Sequence, residues 1–136
     1  MQFIRQGPDI PERLLQMHED GCVVLFCGAG ISFPAGLPGF AGLVESLYQA
    51  LAVTPSAVQH SAIKVGQFDT AIGLLEADVV GGRETVRPAM AAILTPDLTL
   101  PSATATHEAL LTLGQDRKGR TRLITTNFDR LFEQVM

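Results

Sequence analysis

The sequence comprises 136 residues, a length that suits a single domain able to bury a hydrophobic core. Its 10 basic and 14 acidic residues give a net charge of -4, which argues against direct binding to nucleic acid because phosphate backbones require concentrated positive charge. No apolar segment reaches the ~20 residues that a membrane span needs, and the N-terminal residues lack the apolar core of a signal peptide, so we expect a cytoplasmic protein without membrane contact.

The first part of the chain predicts a helix, a strand and a second helix. Asp9 and Pro11 are typical of a helix start, and the apolar spacing that follows favours a short amphipathic helix ending near Gly21. The run 22–27 (CVVLFC) is continuously apolar and bounded by glycine, which predicts a parallel strand buried on both faces. After a glycine-rich turn, apolar residues recur at helical spacing over 43–51.

The two cysteines, Cys22 and Cys27, flank this predicted strand. Structural zinc sites usually need four ligands, so no metal is expected. We interpret both thiols as small buried hydrophobic side chains.

A helical insertion is predicted over about residues 55–94. Its apolar residues recur at helical spacing, and Gly66, the pair Gly81 and Gly82, and Pro88 divide it into segments.

The remaining residues predict a helix, a strand and a helix. A loop over 95–106 leads to a helix that carries His107, followed by a turn over 114–119, a strand over 122–125 and a helix from Arg130 onward. This order of elements is typical of one half of a doubly wound α/β fold with parallel strands.

Gly28 and Gly30 come directly after the first predicted strand, where the backbone turns sharply. Without side chains, such a turn lets a phosphate approach the backbone N–H groups at the start of the next helix. A Gly-X-Gly pair also occurs in tight strand-to-helix turns that bind nothing. The run departs from the ordinary dinucleotide fingerprint in two ways. No third glycine lies three residues after Gly30, and no acidic residue ends an obvious strand about 20 residues later.

Asn127 and Asp129 follow the second predicted strand, in the run Thr125 to Asp129 (TTNFD). Residues just past the carboxyl ends of neighbouring parallel strands converge on one crevice, so this run and the glycine-rich turn can meet. Alternatively, either side chain caps the helix that begins near Arg130.

Both runs resemble the signature of the sirtuins. Residues 28–40 (GAGISFPAGLPGF) are similar to the glycine-rich cofactor loop of that family, with Leu37 in place of isoleucine and Ala41 in place of arginine. The run TTNFD is similar to the family's Thr-Gln-Asn-Ile-Asp, with Thr126 in place of glutamine. This form looks more like the sirtuin-like effectors of bacterial antiphage systems, which hydrolyse NAD, than like the deacylases.

The resemblance implies an NAD-binding domain, with NAD as substrate or ligand and ADP-ribose as product or ligand. Asn127 and Asp129 are the implied catalytic residues. Because an amide does not titrate, Asn127 is expected to hold a ribose hydroxyl or a water, while Asp129 fixes the nicotinamide end or its own loop. His107 matches a histidine that is mainly structural in the family. The implied cofactor-binding residues are Gly28, Ala29, Gly30, Ser32, Pro38, Phe40 and Thr126.

The implied fold is α/β, a partial Rossmann-like three-layer fold of the sirtuin type, with parallel strands and a helical insertion. The resemblance further implies that residues 1–136 are the N-terminal portion of such a domain, without the family's downstream histidine. The expected activity of the parent protein is NAD+ hydrolysis, which releases nicotinamide and ADP-ribose. An NAD-dependent protein-lysine deacylase and a non-catalytic nucleotide-sensing or assembly module remain as alternatives. Hydrophobic residues make up 46% of the chain, which favours a homo-oligomer or additional domains.

Overall fold

A computed structural model describes all residues, 1–136, as a mixed α/β structure in which 51% of the residues are helical. The helices are α1 (Glu12–Glu19), α2 (Phe40–Ala50), α3 (Ala57–Lys64), α4 (Phe68–Asp78), α5 (Arg83–Ile93), α6 (Ala105–Leu113) and α7 (Leu131–Val135). The strands are β1 (Leu25–Cys27) and β2 (Leu123–Thr125), and a 3₁₀ helix spans Ala29–Ala35. None of the helices is long and apolar enough to cross a membrane.

The two strands form a parallel sheet, as predicted. Phe26 lies beside Ile124, and Cys27 lies beside Thr125, so both strands end at the same edge. The backbone N–H of Thr126 donates to the carbonyl of Cys27 at 3.2 Å, which extends the pairing by one residue. The prediction of an α/β fold with parallel strands is therefore confirmed, while the Rossmann-like three-layer arrangement stays a prediction.

One face of the sheet is open to solvent. Phe26 is 71% exposed and Ile124 beside it is 53% exposed. The prediction of a strand buried on both faces was wrong, because no helix layer covers this side of the two strands. The strand also begins at Leu25 and not at Cys22, whose thiol is exposed, while the thiol of Cys27 is buried as predicted.

The main hydrophobic core lies between α2 and the three helices of the predicted insertion. This core confirms the helical character of residues 55–94 and joins them to α2 as one packed group. Its buried members are Leu43, Val44, Leu47, Tyr48, Ala62, Ala71, Leu75 and Val86. A smaller buried cluster lies beneath the glycine-rich loop and comprises Ala35, Leu37, Ala103 and Leu131.

Local sequence signals set the ends of the insertion helices. Ser56 and Gln59 form a reciprocal capping box at the start of α3. Gly66 takes a left-handed conformation (φ 78°) that separates α3 from α4. Pro88, however, lies inside α5 and does not divide the insertion. Its ring sits on the exposed side of the helix, so the carbonyl of Glu84 that loses its hydrogen bond can reach water.

Leu75 is fully buried in this helical core, so we expect Leu75→Ala to lower the free energy of unfolding by about 2–5 kcal/mol, because the lost methyl groups leave a cavity. Leu98→Ala provides a matched control in an exposed loop and should change that free energy by less than about 0.5 kcal/mol. Urea unfolding measures both values. Equal effects at the two positions would contradict the packing described above.

Candidate functional site

The glycine-rich loop leaves the sheet at the end of β1 and folds back on itself. Gly28 is extended, the 3₁₀ helix follows, and Gly36 ends it in a left-handed conformation (φ 78°). A side chain at Gly36 would be strained, and its Cβ would approach Leu100 at 3.4 Å. The reversal returns the chain so that α2 begins at Phe40, with Gly39 preceding it.

The loop and the run after β2 enclose one cleft of about 280 Å³. All of the site residues predicted from the sequence line it except Gly30, which lies beside the ring of Phe33. Sequence reasoning missed Leu94, because this residue comes from the insertion and carries no motif. The predicted residues that line the cleft are Gly28, Ala29, Ser32, Pro38, Phe40, Thr126, Asn127 and Asp129.

Ser32 links the two motifs by hydrogen bonds. Its side chain is buried, and its hydroxyl donates to Oδ2 of Asp129 at 2.7 Å. The hydroxyl oxygen of Ser32 also accepts a hydrogen bond from Nδ2 of Asn127 at 3.1 Å. Nε2 of His107 lies 3.4 Å from the same Ser32 hydroxyl oxygen. Four side chains from three separate parts of the chain therefore meet at one hydroxyl group.

Asp129 has two structural contacts. Oδ2 accepts from Ser32, while Oδ1 accepts the backbone N–H of Leu131 at 3.0 Å. Leu131 is the first residue of α7, so Asp129 stabilises the start of that helix, in line with the capping alternative. Asn127 does not cap the helix, and its side chain is directed to Ser32.

Two buried polar atoms near Ser32 have no hydrogen-bond partner: Oδ1 of Asn127 and Nδ1 of His107. Leaving a buried polar atom unpaired costs about 1–3 kcal/mol, so such atoms call for a functional or structural reason. For Asn127 the unpaired atom is a hydrogen-bond acceptor in a residue that lines the cleft. The atom is sealed from solvent, so a ligand hydroxyl would pair with it only after the Asn127 side chain rotates towards the cleft.

His107 is fully buried, and its ring packs edge-on against Phe132 with the ring centroids 4.8 Å apart. Burial lowers the pKa of its imidazole, and the Asp129 carboxylate nearby opposes part of that shift. The ring is therefore neutral near pH 7. The packing role predicted for His107 agrees with these contacts, and the approach to Ser32 is an additional feature that sequence spacing does not reveal.

Aromatic rings form one rim of the cleft. Phe40 stacks on Phe68 from α4, with ring centroids 6.4 Å apart and an interplanar angle of 12°. Phe128 meets Phe40 edge-on, with ring centroids 6.1 Å apart. Because Phe68 belongs to the insertion, this contact connects the helical core to the cleft.

No family model matches the chain, and no solved structure matches it. The chain is 34% identical, over all 136 residues, to the uncharacterized protein y4cA of Sinorhizobium fredii. It spans 11% of the length of that relative.

Removing the Ser32 hydroxyl should disconnect the two motifs. We expect Ser32→Ala to lower the free energy of unfolding by about 1–3 kcal/mol, because Asn127 and Asp129 each lose a partner. Ser61→Ala removes a hydroxyl from the exposed side of α3 and should have little effect. Thermal or urea unfolding compares the two variants, and equal stabilities would count against the network.

The lowered pKa of His107 predicts a pH dependence of stability. Below its ordinary value of 6.5, the unfolded chain binds a proton that the folded protein does not. The free energy of unfolding should therefore be fully retained above pH 6.5 and should decrease as the pH falls from there towards the folded-state pKa.

Urea unfolding at several pH values measures this slope. His107→Gln should flatten the slope, whereas His60→Gln, at an exposed position, should leave it unchanged. A wild-type slope in the His107 variant would show that other groups cause it.

Proposed function

We propose that the protein hydrolyses NAD+ at the bond between nicotinamide and ribose, and that this chain forms the part of the site around that bond. The observation that carries the proposal is the link from Ser32 to Asn127 and Asp129. It joins two motifs, each resembling half of a sirtuin-type NAD pocket, in one cleft.

The cleft residues suit one end of a dinucleotide. Nothing lies within 4 Å of the position that a Cβ on Gly28 would occupy, so packing leaves room there for a ligand. A rotation of the Asn127 side chain would bring its unpaired Oδ1 into the cleft, where it would accept a hydrogen bond from a ribose hydroxyl. The volume of about 280 Å³ is at the small end for ligand pockets, which favours a nicotinamide ring and its ribose over a complete dinucleotide.

The side chains have complementary roles in this proposal. Positive charge develops on the ribose as the bond to nicotinamide breaks, and a fixed carboxylate stabilises such charge. Asp129 is held by Ser32 and Leu131, so it would supply that charge without rearrangement. Asn127 cannot act as a base, and it would instead position a ribose hydroxyl or the attacking water.

The aromatic rim would limit the access of bulk water to the bond. Phe40 contacts both Phe68 and Phe128, and such edge and stacked contacts favour a defined arrangement of rings. Hydrolysis is favoured over deacylation by the TTNFD form of the second motif and by Ala41 in place of the family's arginine. The same resemblance suggests a role in antiphage defence through NAD depletion.

The test uses the complete protein that carries this sequence. Its release of nicotinamide from NAD+ is measured by chromatography. We expect Asn127→Ala to lower the rate by about 100-fold or more, as removal of a positioning group commonly does. Gln16→Ala removes a side-chain amide from the exposed helix α1 and should retain full activity. Melting temperatures of both variants would show whether the fold is retained.

Full activity of Asn127→Ala, or no nicotinamide release by the unmodified protein, would refute the proposal. Nicotinamide release that depends on an added acylated peptide, with formation of acyl-ADP-ribose, would favour deacylation instead.

A further inference from the structure

A second cavity lies behind the cleft and carries two arginines. It has a volume of about 430 Å³, and residues from α5 and from the start of α7 line it. It shares Leu94, Phe128 and Asp129 with the cleft, so the two spaces adjoin. We call this cavity the arginine groove, after Arg87 and Arg130.

The two guanidinium groups come from different elements. The Arg87 side chain is 65% exposed and the Arg130 side chain is 78% exposed. Met90, Ala91 and Pro96 add apolar surface to the same groove. The groove lining thus carries two positive charges and one negative charge, that of Asp129, in a chain of net charge -4.

Each of these arginines has an acidic partner within its own region of the chain. Glu76 is shared between Arg83, at 3.1 Å, and Arg87, at 3.9 Å. Arg130 pairs with Glu133, which is itself largely exposed. Both guanidinium groups are themselves exposed, and ion pairs of exposed arginines contribute little stability, so a phosphate can compete with Glu76 and Glu133 for them.

Asp129 is the other charge in the groove. Its two carboxylate oxygens already accept hydrogen bonds from Ser32 and from the backbone of Leu131. An anion would therefore bind at the arginines and away from Asp129.

We propose that the arginine groove binds the phosphate of a phosphorylated ligand beside the cleft. The planar fork of a guanidinium donates two parallel hydrogen bonds to phosphate oxygens, and two arginines line this one groove. The apolar surface of the groove suits the rest of such a ligand. The phosphate belongs either to the dinucleotide in the cleft or to a separate phosphorylated molecule.

Calorimetric titration of the complete protein with AMP at low ionic strength tests the phosphate site. We expect Arg87→Gln and Arg130→Gln each to weaken AMP binding by about tenfold, the usual effect of losing a charge-assisted hydrogen bond. Arg83→Gln is the matched control: it lies on the same helix and shares Glu76, but it does not line the groove. It should change the affinity by less than about twofold.

Adenosine serves as the matched ligand control, because it lacks the phosphate. Its binding should be the same in all three variants. The proposal is overturned if the unmodified protein does not bind AMP, or if Arg87→Gln and Arg130→Gln bind AMP as well as Arg83→Gln does. All three side chains are exposed, so the variants should fold normally, and melting temperatures check this.

A competition with ADP-ribose distinguishes the two sources of phosphate. If the dinucleotide fills the groove, ADP-ribose should displace AMP, and both arginine substitutions should weaken ADP-ribose binding. If the groove takes a separate molecule, AMP should bind to the protein saturated with ADP-ribose. If ADP-ribose displaces AMP but neither arginine substitution weakens binding, the phosphate binds elsewhere and the proposed phosphate site in the arginine groove is refuted. Because these measurements follow binding and not turnover, they stand or fall independently of the proposed hydrolysis.

Discussion

Parallel pairing of β1 and β2 is the constraint on which the candidate site depends. Each strand has only three residues, yet the register brings Cys27 and Thr125 to the same edge. Gly28 and Thr126 therefore begin their loops side by side. An antiparallel pairing, or a shift along the sheet, would separate the two motifs and leave Ser32 without its partners.

The structure combines this small sheet with a core that lies elsewhere. The eight residues of the main core come only from α2 to α5, and the strands contribute none of them. The cleft lies between these two parts. Leu43 belongs to the core and also lines the cleft, and the stack of Phe40 on Phe68 adds a second connection. Changes in the packing of the helical core are thus expected to alter the shape of the cleft, even where they do not touch the hydrogen bonds around Ser32.

The sequence predicts what depends on local patterns. Helical spacing located the insertion, and the positions of Gly28 and Asn127 after apolar runs predicted that both would meet at one edge. The exposure of Phe26 was not predictable, since an apolar run does not reveal how many layers cover it. Pro88 was wrongly predicted to divide the insertion. The sequence does not reveal that this proline lies on the exposed side of a helix, where the lost hydrogen bond is tolerated. Arg87 and Leu94 approach Asp129 only through the folding of the insertion, so no motif marks them.

The single proton of the Ser32 hydroxyl determines the polarity of the whole network. An ionised carboxylate only accepts, so this proton must go to Asp129, and the lone pairs of the serine oxygen are left for the other neighbours. Asn127 must then present its amide nitrogen, which turns its carbonyl oxygen away from Ser32. A neutral His107 that hydrogen-bonds to the same oxygen must carry its proton on Nε2, leaving Nδ1 as a bare acceptor. One hydroxyl group thus assigns both the amide orientation and the imidazole tautomer.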